Sequence, residues 1–194
     1  YAKGNTKNVL STSGGSPSFA MFGGTDRIGA YQSIGFGQTS DAVFLPGFLT
    51  GGATGDIKLT EAWGVRGAFN HNWDPFWSTS LWGSYAGVRY NGDAFDILSA
   101  KGQFCASFNF NKTVSADYSC NPDFNIAQVG MVTRWTPVKN LTFSGEVGAF
   151  FLDQKFTGAV GPGGAAVAAP KPVAVYEFKD QSTVFLNVRV QRNF

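Results

Sequence analysis

The strongest constraint on the fold is an alternation of apolar and polar residues near the end of the sequence. From Val184 to Phe194 the even positions are apolar except for Arg192, and the odd positions are polar except for Phe185. Side chains of a β-strand point alternately to its two faces, so this segment is predicted to be a strand with one apolar and one mostly polar face. The fold class therefore depends on what each face contacts.

A longer example of the same pattern lies between Asp56 and Trp73. Its odd positions are largely apolar, and its even positions are small, polar or cationic. The dipeptide Asp74-Pro75 then predicts a tight turn, because proline fixes φ and cannot donate to a strand ladder. We expect a return strand from Phe76 to Tyr90.

Further alternating segments follow, and amphipathic helices are hard to find. The segments "FNIAQVGMVTRW" and "LTFSGEVGAFFLDQKF" both alternate and are joined by the short stretch "TPVKN". Two upstream stretches, "SFAMF" and "DRIGAYQSIGFGQTSDAVF", also read as strands, the second rising to a loop near residues 46–55. The chain is therefore predicted to be an all-β meander of about seven strands.

Composition limits the medium in which such strands can lie. No run of 18 or more apolar residues is present, so the sequence predicts no transmembrane helix. A membrane-spanning strand needs only about 9 to 11 alternating residues. The net charge of +2 and the absence of a dense Lys/Arg run argue against a nucleic-acid partner. A transmembrane antiparallel β-barrel is compatible with all of these features.

The lengths of the connections favour that barrel. The short turns at Asp74 and at 136–140, together with the last residue, fall on one edge, and long loops at about 91–123 and 156–175 fall on the other. Outer-membrane barrels pair short periplasmic turns with longer extracellular loops in this way. Aromatic residues gather at the short-turn edge, as in an interfacial girdle. They are Trp73, Phe76, Trp77, Trp135 and Phe194.

The polar faces of the strands carry the charges that would line a pore. These are Lys58, Arg66, Arg134, Glu146 and Arg189. Cations of a pore wall that face acidic groups tune ion selectivity, and Arg66 and Arg189 are the leading candidates because they lie several residues above the girdle. The alternative is that these charges are solvated and paired with other side chains.

The remaining reactive residues point to structure rather than chemistry. Cys105 and Cys120 enclose about fifteen residues, and in an exported protein they favour a disulfide; a metal site is the alternative, but no nearby ligand completes one. The single histidine, His71, lies on an apolar face without a partner at motif spacing. No phosphate-binding loop and no Gly-x-Ser-x-Gly motif is present, so we expect no enzyme, cofactor or metal.

Several segments resemble a known family. The stretches "GAFNHNWDPFWSTSLWGSYAGVRYNG", "CNPDFNIAQVGMVTRWTPVKNLTFSGEVGAFFLDQKFTG" and "KDQSTVFLNVRVQRNF" resemble the C-terminal part of the general diffusion porins of rhizobial alphaproteobacteria. The resemblance implies a 16-stranded barrel that forms a homotrimer in the outer membrane and passes small hydrophilic solutes. Residues 1–194 would be part of that single barrel domain, its C-terminal half, with N-terminal strands missing. The constriction loop of the family lies in the other half.

The resemblance also implies partners. A terminal strand with alternating apolar residues and a final aromatic resembles the signal that the outer-membrane barrel assembly machinery recognises. Outer-membrane lipid would contact the apolar faces. Two other functions stay open: a small eight-stranded outer-membrane barrel with a structural or adhesive role, and a secreted β-sandwich that binds a partner.

Overall fold

The structure is a computed structural model that describes residues 1–10, 18–51, 55–109, 112–161 and 171–193. Its strands are β1 (Ala2–Lys3), β2 (Ser18–Gly23), β3 (Gln32–Gln38), β4 (Ala42–Leu45), β5 (Asp56–Leu59), β6 (Glu61–Asn72), β7 (Trp77–Arg89), β8 (Phe124–Val138), β9 (Leu141–Gln154), β10 (Ala159–Val160), β11 (Tyr176–Phe178) and β12 (Gln181–Arg192). Its helices are α1 (Thr6–Leu10), α2 (Gly47–Thr50) and α3 (Ala100–Asn109). None of the helices in these ranges is long and apolar enough to cross a membrane.

Six strands form one antiparallel sheet, called the main sheet below. Its order is β1-β6-β7-β8-β9-β12, so the long strands follow one another in space as they do in sequence. Each of the five long strands has 12 to 15 residues. The predicted all-β fold with an antiparallel meander is confirmed, but the described residues contain twelve strands rather than about seven.

One predicted strand is divided in two. The alternation from Asp56 to Trp73 predicts a single strand, but the structure interrupts it at Thr60, and β5 pairs with β4 in a separate two-stranded sheet. Thr60 is fully buried, and its backbone N–H donates to the carbonyl of Asp41 while its own carbonyl accepts from the N–H of Gly4. These two bonds replace ladder bonds, so the chain changes sheets at this residue.

The two edges of the main sheet differ, as the connection lengths predict. The turn between β6 and β7 is held by the carboxylate of Asp74, which accepts the N–H groups of Phe76 at 2.7 Å and Trp77 at 2.8 Å. The turn between β8 and β9 contains Asn140 at φ 66°, a conformation that asparagine tolerates well. Arg192 of β12 pairs with Leu141 beside the same turn. We call this side the turn edge.

A second layer, the cap, covers the opposite end of the main sheet. It consists of a four-stranded sheet in the order β10-β11-β3-β2 and of helix α3. Strands β2 and β3 fall in stretches that were predicted as strands, whereas α3 and β10 fall in the segments predicted as long loops, at about 91–123 and 156–175. Its core is aromatic and includes Phe36, Phe156, Tyr176 and Phe178. The cap joins the main sheet through bonds such as Gln181 Nε2 to Ser33 Oγ at 2.9 Å.

Candidate functional site

One face of the main sheet, the apolar face, is exposed although it is hydrophobic. The strand register places Phe69, Leu81, Met131, Val147 and Leu186 side by side in one row across five strands. Each of these side chains is more than 40% exposed, and that of Leu186 reaches 74%. A contiguous apolar surface of this kind marks a surface that contacts another apolar medium.

Aromatic side chains border the apolar face at the turn edge. The ring centroids of Trp77 and Trp135 are 5.7 Å apart, and those of Trp135 and Phe143 are 5.5 Å apart, so three neighbouring strands share one aromatic row. Trp73 and Phe76 are exposed beside it, at the β6–β7 turn. Of the predicted girdle, Phe194 lies outside the described residues. Sequence reasoning missed Phe143, which the register of β9 places opposite Trp135.

A second aromatic row borders the other side of the apolar face. Trp63 and Tyr85 have ring centroids 5.5 Å apart, and Phe151 lies one strand beyond Ala127, the β8 partner of Tyr85. From Trp135 to Ala127 the strand advances eight residues, about 27 Å along its axis. If the strands were tilted by about 40°, as in outer-membrane barrels, the two rows would lie about 20 Å apart along the barrel axis, compared with about 25 Å for the apolar band of such barrels. The sequence analysis did not predict this row.

The other face of the main sheet, the polar face, carries four of the five predicted charges, three of them in two adjacent rows. Arg134 and Arg189 lie in one row on either side of Ser144, and Glu146 lies in the next row. Arg189 was expected several residues above the girdle, but the register places it only one residue from Val190, which lies opposite Phe143 of the aromatic row. Arg134 Nη1 donates to Ser80 Oγ at 2.7 Å, and Asn187 Nδ2 donates to Glu146 Oε2 at 3.2 Å.

Arg66 and Lys58 lie further away. Arg66 shares the polar face with the other three charges, but it lies nearer the cap, in the row of Ser84 and Gln128. Lys58 does not share this face. It lies on β5, where its ammonium pairs with the carboxylate of Asp56 at 2.6 Å. The other four residues share one face because their rows in the paired strands are separated by even numbers of residues.

Two aromatic rings lie on the polar face between these charges. Trp82 and Phe185 have ring centroids 6.3 Å apart with an angle of 25° between the ring planes. The residues between them in the same row are Gly130 and Gly148, which have no side chains, so the two rings can lie over the backbone of β8 and β9. Sequence reasoning noted Phe185 as an exception to the polar alternation but assigned it no role.

A cavity of about 700 Å³ opens beside Trp82. The polar residues around it include Arg66, Ser84 and Gln128 from the polar face and Asn8 from α1. Within the described ranges, no group of three or more His, Cys, Asp or Glu residues is arranged to hold a metal ion. The lining of the cavity thus provides hydrogen-bonding side chains together with the aromatic ring of Trp82.

Comparison with known protein families shows to which family the chain belongs. Residues 13–187 match the family described as "Porin subfamily", which covers most of the sequence. The chain belongs to the porin subfamily. Neither the curated proteins nor the solved structures gave a match. Membership gives this porin an outer-membrane role in general terms and places it in a family of non-enzymatic channels.

The cap of this porin is fixed to the main sheet by an ion pair with little exposure. Lys101 Nζ on α3 lies 2.7 Å from Asp123 Oδ2, and the two side chains are 15% and 13% exposed. The same carboxylate accepts the backbone N–H of Tyr90 at 2.8 Å, at the end of β7. Burial raises the pKa of the Tyr90 hydroxyl, which donates to the carbonyl of Gln38 at 3.0 Å.

The cap also contains the predicted disulfide. Cys105 on α3 is bonded to Cys120, and their Cα atoms are 5.8 Å apart. Nearby, the Arg27 guanidinium makes a bidentate pair with Asp117 at 2.8 and 2.7 Å, which lowers the pKa of that carboxyl. Burial raises the pKa of Tyr118 to about 12. The disulfide closes a loop across 15 residues, and the pair of Arg27 with Asp117 joins segments that are 90 residues apart in sequence.

Proposed function

We propose that this porin forms the wall of a water-filled channel in the bacterial outer membrane, through which small hydrophilic solutes and ions diffuse passively. One observation carries the proposal: the main sheet exposes an apolar face between two aromatic rows and carries Arg66, Arg134, Glu146 and Arg189 on its opposite face. A sheet whose apolar side meets lipid has to present its polar side to water or to polar protein groups.

The apolar face would contact outer-membrane lipid. Its height of about 20 Å between the aromatic rows suits the hydrocarbon layer of that membrane, which is thinner than average. Tryptophan and tyrosine rings at both borders would lie at the level of the headgroups. The predicted girdle residues Trp73, Trp77 and Trp135 would then lie at one of the two interfaces.

The larger assembly follows from the resemblance to rhizobial porins and forms part of the proposal. The main sheet would be the C-terminal part of a 16-stranded barrel, and the barrel would associate as a homotrimer. In the described part of the chain, β12 pairs with β9 on one side only, and a lipid-exposed strand needs partners on both sides. The same strand would present the C-terminal signal to the barrel assembly machinery.

The polar-face charges would give the channel its ion preference. Arg134 and Arg189 place two cations in one row of the wall, and Glu146 lies one row nearer the middle of the sheet. Separated cations and anions on a channel wall create a field that acts on passing ions. The channel should therefore lose preference for anions when the arginines are neutralised.

The test is a conductance measurement on the full-length protein in planar lipid bilayers. Wild type should give steps of current that grow with salt concentration. Arg66→Gln and Arg189→Gln should each raise the cation-to-anion permeability ratio. Lys58→Gln is the matched control, because it removes the same charge from a residue outside the polar face.

Two outcomes would contradict the proposal. A protein that inserts into bilayers without conducting would refute the channel and favour the small barrel with a structural or adhesive role. An unchanged permeability ratio in both arginine variants would show that these residues do not line the path of the ions.

A further inference from the structure

The two rings on the polar face lie flat on the sheet. A Cβ atom added at Gly130 would be 2.4 Å from Trp82 Cζ2, and one added at Gly148 would be 2.5 Å from Phe185 Cζ. Both distances are far shorter than an ordinary contact between carbon atoms. Each ring therefore rests on glycine backbone with one of its faces and turns the other face away from the sheet.

Together the rings form a continuous surface. Their planes differ by only 25° and their centroids are 6.3 Å apart, although Trp82 comes from β7 and Phe185 from β12. Both side chains are partly exposed. We call this surface, made of Trp82 and Phe185 over the two glycines, the aromatic platform.

Polar side chains border the aromatic platform on both sides. One row nearer the cap lie Arg66, Ser84 and Gln128, which also border the 700 Å³ cavity beside Trp82. One row nearer the turn edge lie Glu146 and Asn187, joined by a hydrogen bond. These groups supply donors, such as guanidinium and amide N–H, and acceptors, such as carboxylate and amide oxygen.

We propose that the aromatic platform binds neutral pyranose sugars as they pass along the polar face, an inference that rests on the proposed channel function. The C–H groups on the flat side of a pyranose ring carry partial positive charge, and the face of an aromatic ring is negative. The sugar hydroxyls at the ring edge can donate to and accept from the two polar rows. An entirely apolar solute would cover these polar side chains without forming hydrogen bonds with them, which is costly.

The size and position of the site suit such a ligand. The cavity at the Trp82 end of the platform, of about 700 Å³, lies within the range of small-molecule sites. The platform extends from the β7 side chain across β8 and β9 to the β12 side chain, so it is longer than a single sugar ring. A short oligosaccharide should therefore bind more tightly than glucose.

The experiment measures block of the ion current by maltotriose in the full-length protein in planar bilayers. Wild type should show concentration-dependent block. Trp82→Leu, which keeps apolar volume but removes the planar ring, should raise the half-blocking concentration about 10-fold. Trp82→Phe keeps a ring and should stay close to wild type. Phe151→Leu is the matched control, because it removes a ring from the apolar face.

A second measurement makes the result independent of conductance. Titration with maltotriose in detergent should change the tryptophan fluorescence of wild type, and the change should be largely lost in Trp82→Leu. If wild type conducts ions but maltotriose neither blocks the current nor changes the tryptophan fluorescence, the sugar site is refuted and the channel function stands. Equal block in wild type and Trp82→Leu would also overturn it. If wild type does not conduct ions but its fluorescence still reports maltotriose binding, only the channel function is refuted.

Discussion

Replacement of Gly148 by alanine tests the packing on which the aromatic platform depends. The added methyl group would lie 2.5 Å from Phe185 Cζ, and a carbon–carbon contact needs about 3.5 to 4.0 Å. The ring of Phe185 therefore has to move by about 1 Å or turn away from the sheet. In doing so it would separate from the Trp82 ring, whose centroid now lies 6.3 Å from its own.

The size of the effect follows from two opposing contributions. Overpacking of this kind costs about 1–3 kcal/mol, and exchange of glycine for alanine in a strand returns about 0.5–1 kcal/mol. We expect Gly148→Ala to lower the free energy of unfolding by about 1–2 kcal/mol. Gly145→Ala on the same strand is the matched control, since its added Cβ would meet no atom within 4 Å.

The assay is equilibrium urea unfolding of the full-length protein in detergent micelles, followed by tryptophan fluorescence. Gly145→Ala should be as stable as wild type or slightly more stable. In a Phe185→Ala background the cost of Gly148→Ala should disappear, because the clashing ring is gone. If Gly148→Ala matched Gly145→Ala in the wild-type background, the flat placement of the Phe185 ring would be refuted.

Three further predictions concern the cap. Lys101→Met removes the ammonium partner of the largely buried Asp123 carboxylate and should destabilise the cap by about 3 kcal/mol. Hydrogen exchange of α3 should become faster, and protection equal to wild type would contradict this. Reduction of the disulfide at Cys105 should cost the cap about 3 kcal/mol and speed its cleavage by trypsin, with the main sheet unaffected. The lowered pKa of Asp117 means that its pair with Arg27 stabilises the folded state above about pH 4 and loses this effect as the pH falls through the lowered value. Asp117→Asn should therefore shift the urea midpoint at pH 7 more than at pH 3, and equal shifts would show that the pair contributes nothing.

The main sheet could be predicted from sequence because two local signals agree. Alternation over 12 or more residues shows which side chains share a face, and the short turn at Asp74 fixes the register of the next strand. The alternation of apolar and polar positions already predicted that Arg134 and Arg189 lie on the polar face of their strands. Their separation by a single residue, Ser144, needed the pairing of β9 with both neighbours.

The features that escaped prediction depend on contacts between distant segments. The strand break at Thr60 arises because Asp41 and Gly4 take its backbone bonds, and alternation continues through it unchanged. The second aromatic row combines Trp63, Tyr85 and Phe151, which lie on three strands and form no sequence motif. The platform on Gly130 likewise becomes visible only when the strands are aligned.

The parallel pairing of β11 with β3 has a consequence for the order of folding. From β6 to β9 each strand of the main sheet pairs with its neighbour in sequence, whereas Tyr176 of the cap pairs with Gln32 near the other end of the chain. Joining such distant segments costs more loop-closure entropy, which slows their association. The main sheet is expected to form first and the cap to close onto it afterwards. A folding probe on β11 should therefore report a later phase than one on β9.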